Sequence, residues 1–242
     1  MILDYLIFQR IKLRKEHIFT FDYPYEEFYI KTEDKKEINA LLFKPVTTSK
    51  GLIIYFHGNA DNLQRWGEYA IDFTQLGYQV LMIDYRGYGK STGKPSENLF
   101  YKDARTVWCW VKENIEFDKI VLFGRSLGSA MASHLAMEVN PDLLILETPF
   151  DELKGAMMPI VRRIFSFFPV KHVFPTKTHL AQVACPKLVL HGTNDRVVPL
   201  DSALKLKSAL SYTDEFVIIP KAKHGNLRTF DLYHQKLAEV LN

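Results

Sequence analysis

The sequence predicts an α/β fold, with a doubly wound, mostly parallel sheet of eight strands and a short helical lid after the sixth strand. Short, continuous apolar runs recur along the chain, and such runs are typical of strands covered on both faces of a parallel sheet. Segments with helical periodicity separate the runs, and a regular alternation of strand and helix indicates right-handed βαβ units. An alternating apolar and polar pattern nearer the N-terminus adds an antiparallel pair.

The elements follow in order along the chain. Residues 26–42 alternate between apolar and polar side chains around a polar turn at 33–36, which predicts two antiparallel strands. The six later strands are expected at 52–56, 80–83, 120–123, 143–146, 188–190 and 216–219. Helical periodicity predicts helices at 62–75, 96–114, 127–138, 202–210 and 226–241.

The composition is that of a folded globular protein. With 242 residues, 47% of them apolar and 24% charged, the chain fits one α/β unit, so we expect a single domain over residues 1–242. The basic residues exceed the acidic ones by only 31 to 28, which is too small and scattered an excess to indicate a nucleic-acid partner. Cys109 and Cys185 lie far apart and outside any metal-ligand spacing, so we expect no disulfide, no metal site and no cofactor.

The first fifteen residues are apolar up to residue 8 and basic afterwards, with Arg10, Lys12, Arg14 and Lys15. A secretory signal peptide carries its positive charge before the apolar run and ends in small residues, so this order argues against one. The apolar run is also too short to cross a bilayer. We therefore expect a cytoplasmic protein whose N-terminal helix packs on its own surface, with peripheral membrane contact as the alternative.

One connection is much longer than an ordinary link between strands. Residues 150–185 separate the sixth and seventh predicted strands and are rich in phenylalanine and methionine. Long insertions in compact domains tend to be functional, so we predict a helical lid beside the active site. Phe165, Phe167 and Phe168 are expected to bind an apolar substrate; alternatively, these rings only anchor the lid to the body of the protein.

The motif Gly124-Arg125-Ser126-Leu127-Gly128 follows the strand expected at 120–123 and opens a helix. It matches the pattern G-x-S-x-G in the strand–turn–helix context of a nucleophile elbow. The serine of such an elbow lies on a sharp, strained turn, and the flanking glycines let the strand and the helix pack closely. Ser126 is therefore the candidate nucleophile.

A serine nucleophile needs a base and a carboxylate that orients the base. In this context the acid follows the serine along the chain and the histidine follows the acid. Asp195 lies in the loop after the strand expected at 188–190, and His224 lies in the loop after the last strand, just before the C-terminal helix. An Asx-turn role for Asp195 and an exposed loop position for His224 are the alternatives. We predict a triad of Ser126, Asp195 and His224.

The loop that begins at His57 follows the strand expected at 52–56 and leads into a helix, which is where the second oxyanion donor arises in this architecture. We expect the backbone N–H groups of Asn59 and Leu127 to form the oxyanion hole, the latter at a helix N-terminus that favours negative charge. His57 and His191 each end a strand and precede a glycine, so they are expected to bind loop backbone.

These motifs stand in an order that points to a family, at residues 57–60, 84–91, 124–128, 147–150 and 191–199. The chain resembles the Bem46-like serine hydrolases of the α/β-hydrolase superfamily, which include depalmitoylating enzymes. The resemblance covers roughly residues 26–241 and implies the α/β-hydrolase fold. Members of this group often carry a transmembrane helix before the first strand, and no apolar run of that length precedes residue 26 here.

The residues together predict a cofactor-free serine hydrolase that cleaves an ester or thioester of an apolar small molecule. Arg125 and Glu147 suggest a buried ion pair that braces the elbow, and a substrate-binding guanidinium is the alternative. Two other functions stay open. One is a peptidase of the same fold, with Glu147 or Glu152 holding a free N-terminus, and the other is a non-enzymatic membrane-adaptor or interaction protein.

Overall fold

The computed structural model describes residues 7–156 and 172–242. The chain divides into two compact units, Met1–Val121 and Leu122–Asn242. The single domain over residues 1–242 stays a prediction, as does the extent of the lid at 150–185. Each unit contains strands that alternate with helices, as the sequence predicts.

The first unit contains four strands in the order β1-β2-β4-β3. Their bounds are Tyr25–Lys31 for β1, Glu37–Phe43 for β2, Gly51–Phe56 for β3 and Tyr78–Ile83 for β4. Strand β1 pairs antiparallel with β2, and β2 pairs antiparallel with β4, whereas β3 and β4 are parallel. The predicted antiparallel pair is therefore confirmed. All residues of β3 and β4 are buried, as expected from their continuous apolar sequences.

The predicted helix at 62–75 is interrupted in the structure. It consists of α1 at Leu63–Trp66, a 3₁₀ turn at Gly67–Tyr69 and α2 at Ile71–Thr74. The hydroxyl of Tyr23 donates to the Gly67 carbonyl at 2.6 Å, and the Ala70 amide bonds the same oxygen at 2.9 Å. A side chain from elsewhere in the sequence thus competes for a helix carbonyl, and the backbone tightens there. The next helix, α3 at Glu97–Asn114, lies where it was predicted.

Ile7 is helical, whereas residues 8–13 are not, and the first six residues of the predicted N-terminal helix lie outside the described residues. Isolated bridges join Arg10 to Asp61 and Lys12 to Gly89. The carbonyls of Ile7, Gln9 and Ile11 accept hydrogen bonds from the Asn59 side chain, the Asp61 amide and the Asn62 side chain, respectively. These tertiary hydrogen bonds hold the chain straight, so we call residues 7–13 the anchored segment.

The second unit contains four strands in the order β5-β6-β7-β8, with β5 starting just before the division between the units. Their bounds are Ile120–Arg125, Leu143–Glu147, Lys187–Gly192 and Glu215–Ile219, respectively. Strands β6, β7 and β8 are parallel neighbours. All residues of β5, β6 and β7 are buried. The carboxyl ends of these strands carry the residues on which the predicted chemistry depends.

The helices of the second unit are α4 at Leu127–Val139, α5 at Leu153–Ala156, α6 at Thr176–Leu180, α7 at Leu200–Leu204 and α8 at Asp231–Leu241. The predicted helix at 202–210 is α7 followed by a 3₁₀ turn at Lys205–Ala209. The predicted helix at 226–241 is also divided, because Phe230 has an extended backbone between a 3₁₀ turn at Leu227–Thr229 and α8. Within the described ranges, no helix has the length and hydropathy needed to cross a membrane.

Candidate active site

Ser126 lies at the turn between β5 and α4. Its backbone has φ 50° and ψ −114°, a conformation that residues with a side chain rarely adopt. Its amide donates to the carbonyl of Glu147 at 2.9 Å, which fixes the turn to the end of β6. Among the described residues, the Ser126 side chain makes no capping hydrogen bond to α4. The geometry is that of a sharp strand–turn–helix whose serine hydroxyl is not engaged in helix capping, and the role of Ser126 as nucleophile stays a prediction.

Gly124 explains how the strand and the helix approach so closely at this turn. A Cβ atom at Gly124 would lie 2.6 Å from the Gly128 carbonyl oxygen and 2.7 Å from both the Ala132 Cβ and the Ser129 Cα. Backbone atoms cannot yield to such a contact as a flexible side chain can. The first glycine of the motif is therefore required by packing.

Asp195 lies in the loop after β7 and is held as an ionised carboxylate. Its Oδ1 accepts hydrogen bonds from the amides of Val197 at 2.8 Å and Val198 at 2.9 Å. Its Oδ2 lies 2.8 Å from Nδ1 of His224. Burial alone would raise the pKa of Asp195, but the hydrogen bond and charge of His224, together with the two amides, lower it. The side chain is thus buried, charged and aimed at an imidazole.

Two loops are locked together so that this pair forms. The amide of Asn194 donates to the Ala222 carbonyl at 2.9 Å, and the amide of Lys221 donates to the Thr193 hydroxyl at 2.8 Å. A Cβ atom at Gly192 would lie 2.3 Å from the Ala222 carbonyl oxygen. The close approach of the two loops therefore depends on a glycine at the end of β7.

The hydrogen bond fixes the tautomer of His224. An ionised carboxylate only accepts, so Nδ1 of His224 must carry the proton and Nε2 of the neutral ring is left as a base. The side chain of His224 is 19% exposed, whereas that of Asp195 is fully buried. A second imidazole, His191, lies with Nε2 3.7 Å from the same Oδ2, and burial lowers its pKa. His191 is thereby kept neutral, and its Nδ1 bonds the Gly192 carbonyl as expected.

Arg125 forms the ion pair that its sequence position suggested. Its guanidinium lies 3.3 Å from the Glu147 carboxylate, and both side chains are almost completely buried. The same guanidinium donates to the carbonyl of His224 at 2.9 Å. Tyr233 on α8 donates to the other Glu147 oxygen at 3.3 Å. Sequence reasoning missed Tyr233 and the contact with His224, since no local pattern marks a partner that is a backbone carbonyl.

Asn59 belongs to the first unit, in the loop after β3, and Leu127 is the first residue of α4 in the second unit. The Asn59 amide group donates to the Ile7 carbonyl at 2.5 Å and accepts from the Tyr88 hydroxyl at 2.9 Å. The orientation of this loop residue is therefore fixed within the first unit. The joint role of Asn59 and Leu127 in an oxyanion hole stays a prediction.

His57 is structural, as expected, and it has a buried acidic partner. Its Nδ1 bonds the Gly58 carbonyl at 2.6 Å, and its Nε2 lies 3.4 Å from Asp84. Burial raises the pKa of Asp84. The Tyr85 hydroxyl donates to the His57 carbonyl at 2.6 Å, so the loop before Asn59 is held from two sides.

Phe165, Phe167 and Phe168 lie outside the described residues, so their role in substrate binding stays a prediction. The ends of the lid insertion are described. The amide of Leu153 donates to the Val173 carbonyl at 2.8 Å, and Asp151 binds both Ser202 and Lys205 at the start of the insertion. In the ranges 7–156 and 172–242, no group of three or more His, Cys, Asp or Glu side chains is arranged to hold a metal ion.

Comparison with solved structures shows the fold. The esterase Pf2001 of Pyrococcus furiosus superposes with a TM-score of 0.74 over 97% of both chains at 18% identity. An α/β serine hydrolase homologue from Coxiella burnetii has a TM-score of 0.67 at 21% identity and covers 92% of this chain and 98% of its own. At such identities the likeness shows the fold alone. The α/β-hydrolase fold with its mostly parallel sheet of eight strands is confirmed.

Sequence relatives extend the comparison. An uncharacterised protein of Mycobacterium tuberculosis is 30% identical over 84% of this chain and 73% of its own length. The lysophosphatidylserine lipase ABHD12 of Macaca fascicularis is 34% identical over 67% of this chain. The chain spans only 46% of that lipase's length. Fold and relatives together define a hydrolase of the α/β-hydrolase superfamily.

The family follows from a further match. The family model described as serine aminopeptidase, S33, matches residues 47–176. This stretch is more than half of the 242 residues. The chain belongs to this family, and the superfamily recognised from the motifs is confirmed.

Proposed function

We propose that the protein is a serine hydrolase that cleaves a carboxylic ester or thioester through an acyl-enzyme, with the triad Ser126, Asp195 and His224. The observation that carries the proposal is the 2.8 Å contact between Oδ2 of the buried Asp195 and Nδ1 of His224. This contact orients an imidazole whose other nitrogen is free to accept a proton. The strained turn at Ser126 supports the assignment of the nucleophile, because such strain persists chiefly at functional sites.

The reaction follows from these roles. Nε2 of His224 takes the proton from the Ser126 hydroxyl as its oxygen attacks the acyl carbon, and the carbonyl oxygen becomes an oxyanion. The backbone N–H groups of Leu127 and Asn59 are the proposed donors to that oxyanion. Leu127 stands at the N-terminus of a 13-residue helix, whose dipole favours the negative charge. The imidazolium then protonates the leaving group, and the same histidine activates water to release the acid.

We propose a substrate with a long apolar acyl group, such as a lysophospholipid. The phenylalanine- and methionine-rich sequence of the insertion supports this, with Phe165, Phe167 and Phe168 as the proposed wall of the acyl site. One sequence relative is a lysophosphatidylserine lipase, which is consistent with an acyl ester. Each buried methylene contributes up to about 0.8 kcal/mol, so specificity should rise with chain length until the site is full.

A peptidase acting at a free N-terminus is the second candidate, favoured by the description of the matched family. Such an enzyme needs a carboxylate to bind the substrate's ammonium group. Glu147 is completely buried and already contacts Arg125 and Tyr233, so it is poorly placed to serve as that anchor. This contact pattern argues against Glu147 and leaves the partly exposed Glu152 as the anchor that a peptidase would need. A non-enzymatic adaptor is disfavoured, because it would have no use for an oriented Asp195–His224 pair.

We further propose a cytoplasmic location, with a small acyl compound as the partner. Exposed residues between Ile11 and Ile18 support a membrane contact as the alternative. Ile11 and Ile18 are 54% and 78% exposed, and Lys12, Arg14 and Lys15 are exposed between them. An apolar pair among cations suits an anionic lipid surface.

The first experiment tests the mechanism. The wild-type protein should react with a fluorophosphonate probe and hydrolyse p-nitrophenyl esters. Ser126→Ala should lower turnover by about 10⁶-fold, and Asp195→Asn by about 10⁴-fold. Circular dichroism of each variant serves as the folding control. A well-folded Ser126→Ala protein with near-normal esterase activity would show that the proposed nucleophile is wrong.

The second experiment tests the substrate class. Initial rates are compared for acyl esters of two to twelve carbons, lysophosphatidylserine, lysophosphatidylcholine and aminoacyl amides. We expect kcat/KM to rise a few-fold per added carbon, and Phe165→Ala, Phe167→Ala or Phe168→Ala to flatten that trend. Faster cleavage of the aminoacyl amides would favour the peptidase, and phenylalanine variants that only lower stability would leave the rings as lid anchors.

A further inference from the structure

The side chain of Arg125 joins the nucleophile turn to the loop of the proposed base. It follows Gly124 in the elbow, and it reaches the carbonyl oxygen of His224, 99 positions later in the sequence, at 2.9 Å. We propose that Arg125 is a positioning residue that fixes the backbone of His224 relative to Ser126. The inference rests on the proposed function, because it concerns the same triad.

An arginine suits this place because one planar group can serve two acceptors. One end of the guanidinium lies 3.3 Å from the Glu147 carboxylate, and the other donates to the His224 carbonyl. The side chains are 3% and 1% exposed, so the cation needs the carboxylate to offset the loss of hydration. A lysine ammonium carries the same charge but lacks the forked geometry that reaches both acceptors.

Glu147 connects the brace to two further elements. Its backbone carbonyl accepts the amide of Ser126 at 2.9 Å, and its carboxylate accepts the Tyr233 hydroxyl of α8 at 3.3 Å. Both members of the ion pair, Arg125 and Glu147, are therefore residues that also form the turn at Ser126. Through Arg125 the same pair reaches the histidine loop.

The contacts of Asn194 and Thr193 hold residues 221 and 222 of the histidine loop, and the Arg125 guanidinium holds the backbone of His224 itself. Asp195 fixes the ring of His224 through Nδ1, but this contact does not involve the backbone of His224. On the following residue, Gly225, an added Cβ would meet no atom within 4 Å among the described residues. One side of the loop is thus open, and the guanidinium supplies a contact at the His224 carbonyl itself. The ring of His224 is thus held by Asp195, and its backbone carbonyl is held by Arg125.

The Arg125 contact bears on the distance between the His224 ring and the Ser126 hydroxyl. Proton transfer from Ser126 requires Nε2 of His224 to lie within hydrogen-bond reach of the serine oxygen. A displacement of about 1 Å in such a group can lower the rate by about 100-fold. Loss of the Arg125 contact should therefore slow acylation while substrate binding stays as it was.

The experiment uses two changes at the brace. Arg125→Lys keeps a cation opposite Glu147, so the protein should fold. The double variant Arg125→Gln/Glu147→Gln removes both charges and avoids leaving one of them buried alone. The matched control is Lys187→Gln/Asp214→Asn, which removes another buried pair of the same unit, with 3.1 Å between the charged atoms and exposures of 3% and 0%.

Three quantities are measured for each protein: the rate of fluorophosphonate labelling, kcat and KM for a p-nitrophenyl ester, and the melting temperature. We expect both Arg125 variants to label about 10- to 100-fold more slowly, with kcat lowered equally and KM unchanged. The control should lose stability yet label at the wild-type rate per folded molecule. A merely structural role for Arg125 would give the control's pattern.

The outcomes separate this inference from the proposed function. Folded Arg125→Lys protein that labels and turns over at the wild-type rate overturns the positioning role, even while the triad stands. A raised KM with unchanged kcat and an unchanged labelling rate also overturns it and assigns the guanidinium to substrate binding. Wild-type protein that fails to label, or active Ser126→Ala protein, instead overturns the proposed function.

Discussion

The backbone of Ser126 provides a direct measure of what the nucleophile turn costs the fold. At φ 50° and ψ −114°, the residue lies where a Cβ atom is unfavourable and glycine is not. Two substitutions isolate that cost. Ser126→Ala and Ser126→Gly both remove the hydroxyl, but only the glycine removes the Cβ. Since the serine side chain makes no capping hydrogen bond to α4 among the described residues, no capping energy is lost in either variant.

The expected difference follows from the conformation. A non-glycine residue held in a sparsely populated region costs about 1–3 kcal/mol, which Ser126→Gly should recover. Glycine also gives the unfolded chain greater conformational freedom, which offsets about 0.4–1 kcal/mol of that gain in stability. The glycine variant should therefore be up to about 2.5 kcal/mol more stable than the alanine variant. In a chain of 242 residues, each kcal/mol raises the melting temperature by about 2–4 °C.

The assay is urea denaturation and thermal melting of both variants beside the wild type, with ester hydrolysis measured on the same samples. Both variants should be inactive, so any gain in stability would come with the loss of the proposed nucleophile. A glycine variant less stable than the alanine variant would refute the reasoning, because the turn would then carry no Cβ strain.

Two further predictions concern the loops around the site. Gly192→Ala would place a Cβ 2.3 Å from the Ala222 carbonyl oxygen. It should lower the free energy of unfolding by about 1–3 kcal/mol in urea denaturation and lower esterase activity at least about tenfold. The control Gly225→Ala should leave the urea midpoint unchanged, because its Cβ would meet no described atom within 4 Å. Burial alone would raise the pKa of Asp151, but hydrogen bonds from Lys205 and Ser202 lower it. Its stabilising contribution is therefore complete above the ordinary aspartate pKa of about 3.9 and is lost as the pH falls through the lowered folded value. Asp151→Asn should thus reduce stability at pH 7 and flatten the decline below about pH 4, and an unchanged decline would contradict this assignment.

The parts of the site that could be predicted from sequence are those that local pattern determines. Ser126 stands between two glycines after an apolar strand, and Asp195 and His224 follow the ends of later strands. Parallel strands bring such ends to one edge of a sheet, so the order of the residues along the chain suffices. The 2.8 Å contact between Asp195 and His224 agrees with that expectation.

What could not be predicted depends on distant partners. The helix expected at 62–75 is interrupted at Gly67, whose carbonyl also accepts the Tyr23 hydroxyl, and no helical periodicity signals that contact. Arg125 was predicted to form an ion pair, but its hydrogen bond to the His224 carbonyl could not be predicted. A backbone carbonyl is present at every residue, so no sequence pattern marks it as a partner. Tertiary hydrogen bonds of this kind override local propensity wherever two loops meet.

The anchored segment bears on where this protein can be truncated or fused to another. Domain ends are usually trimmed or tagged freely, because they are seldom tied to the rest of the structure. Here the carbonyls of Ile7, Gln9 and Ile11 accept hydrogen bonds from residues 59–62, so a truncation at residue 14 would strip three acceptors from the loop that carries Asn59. A variant truncated at residue 14 is therefore expected to have a loosened loop around Asn59.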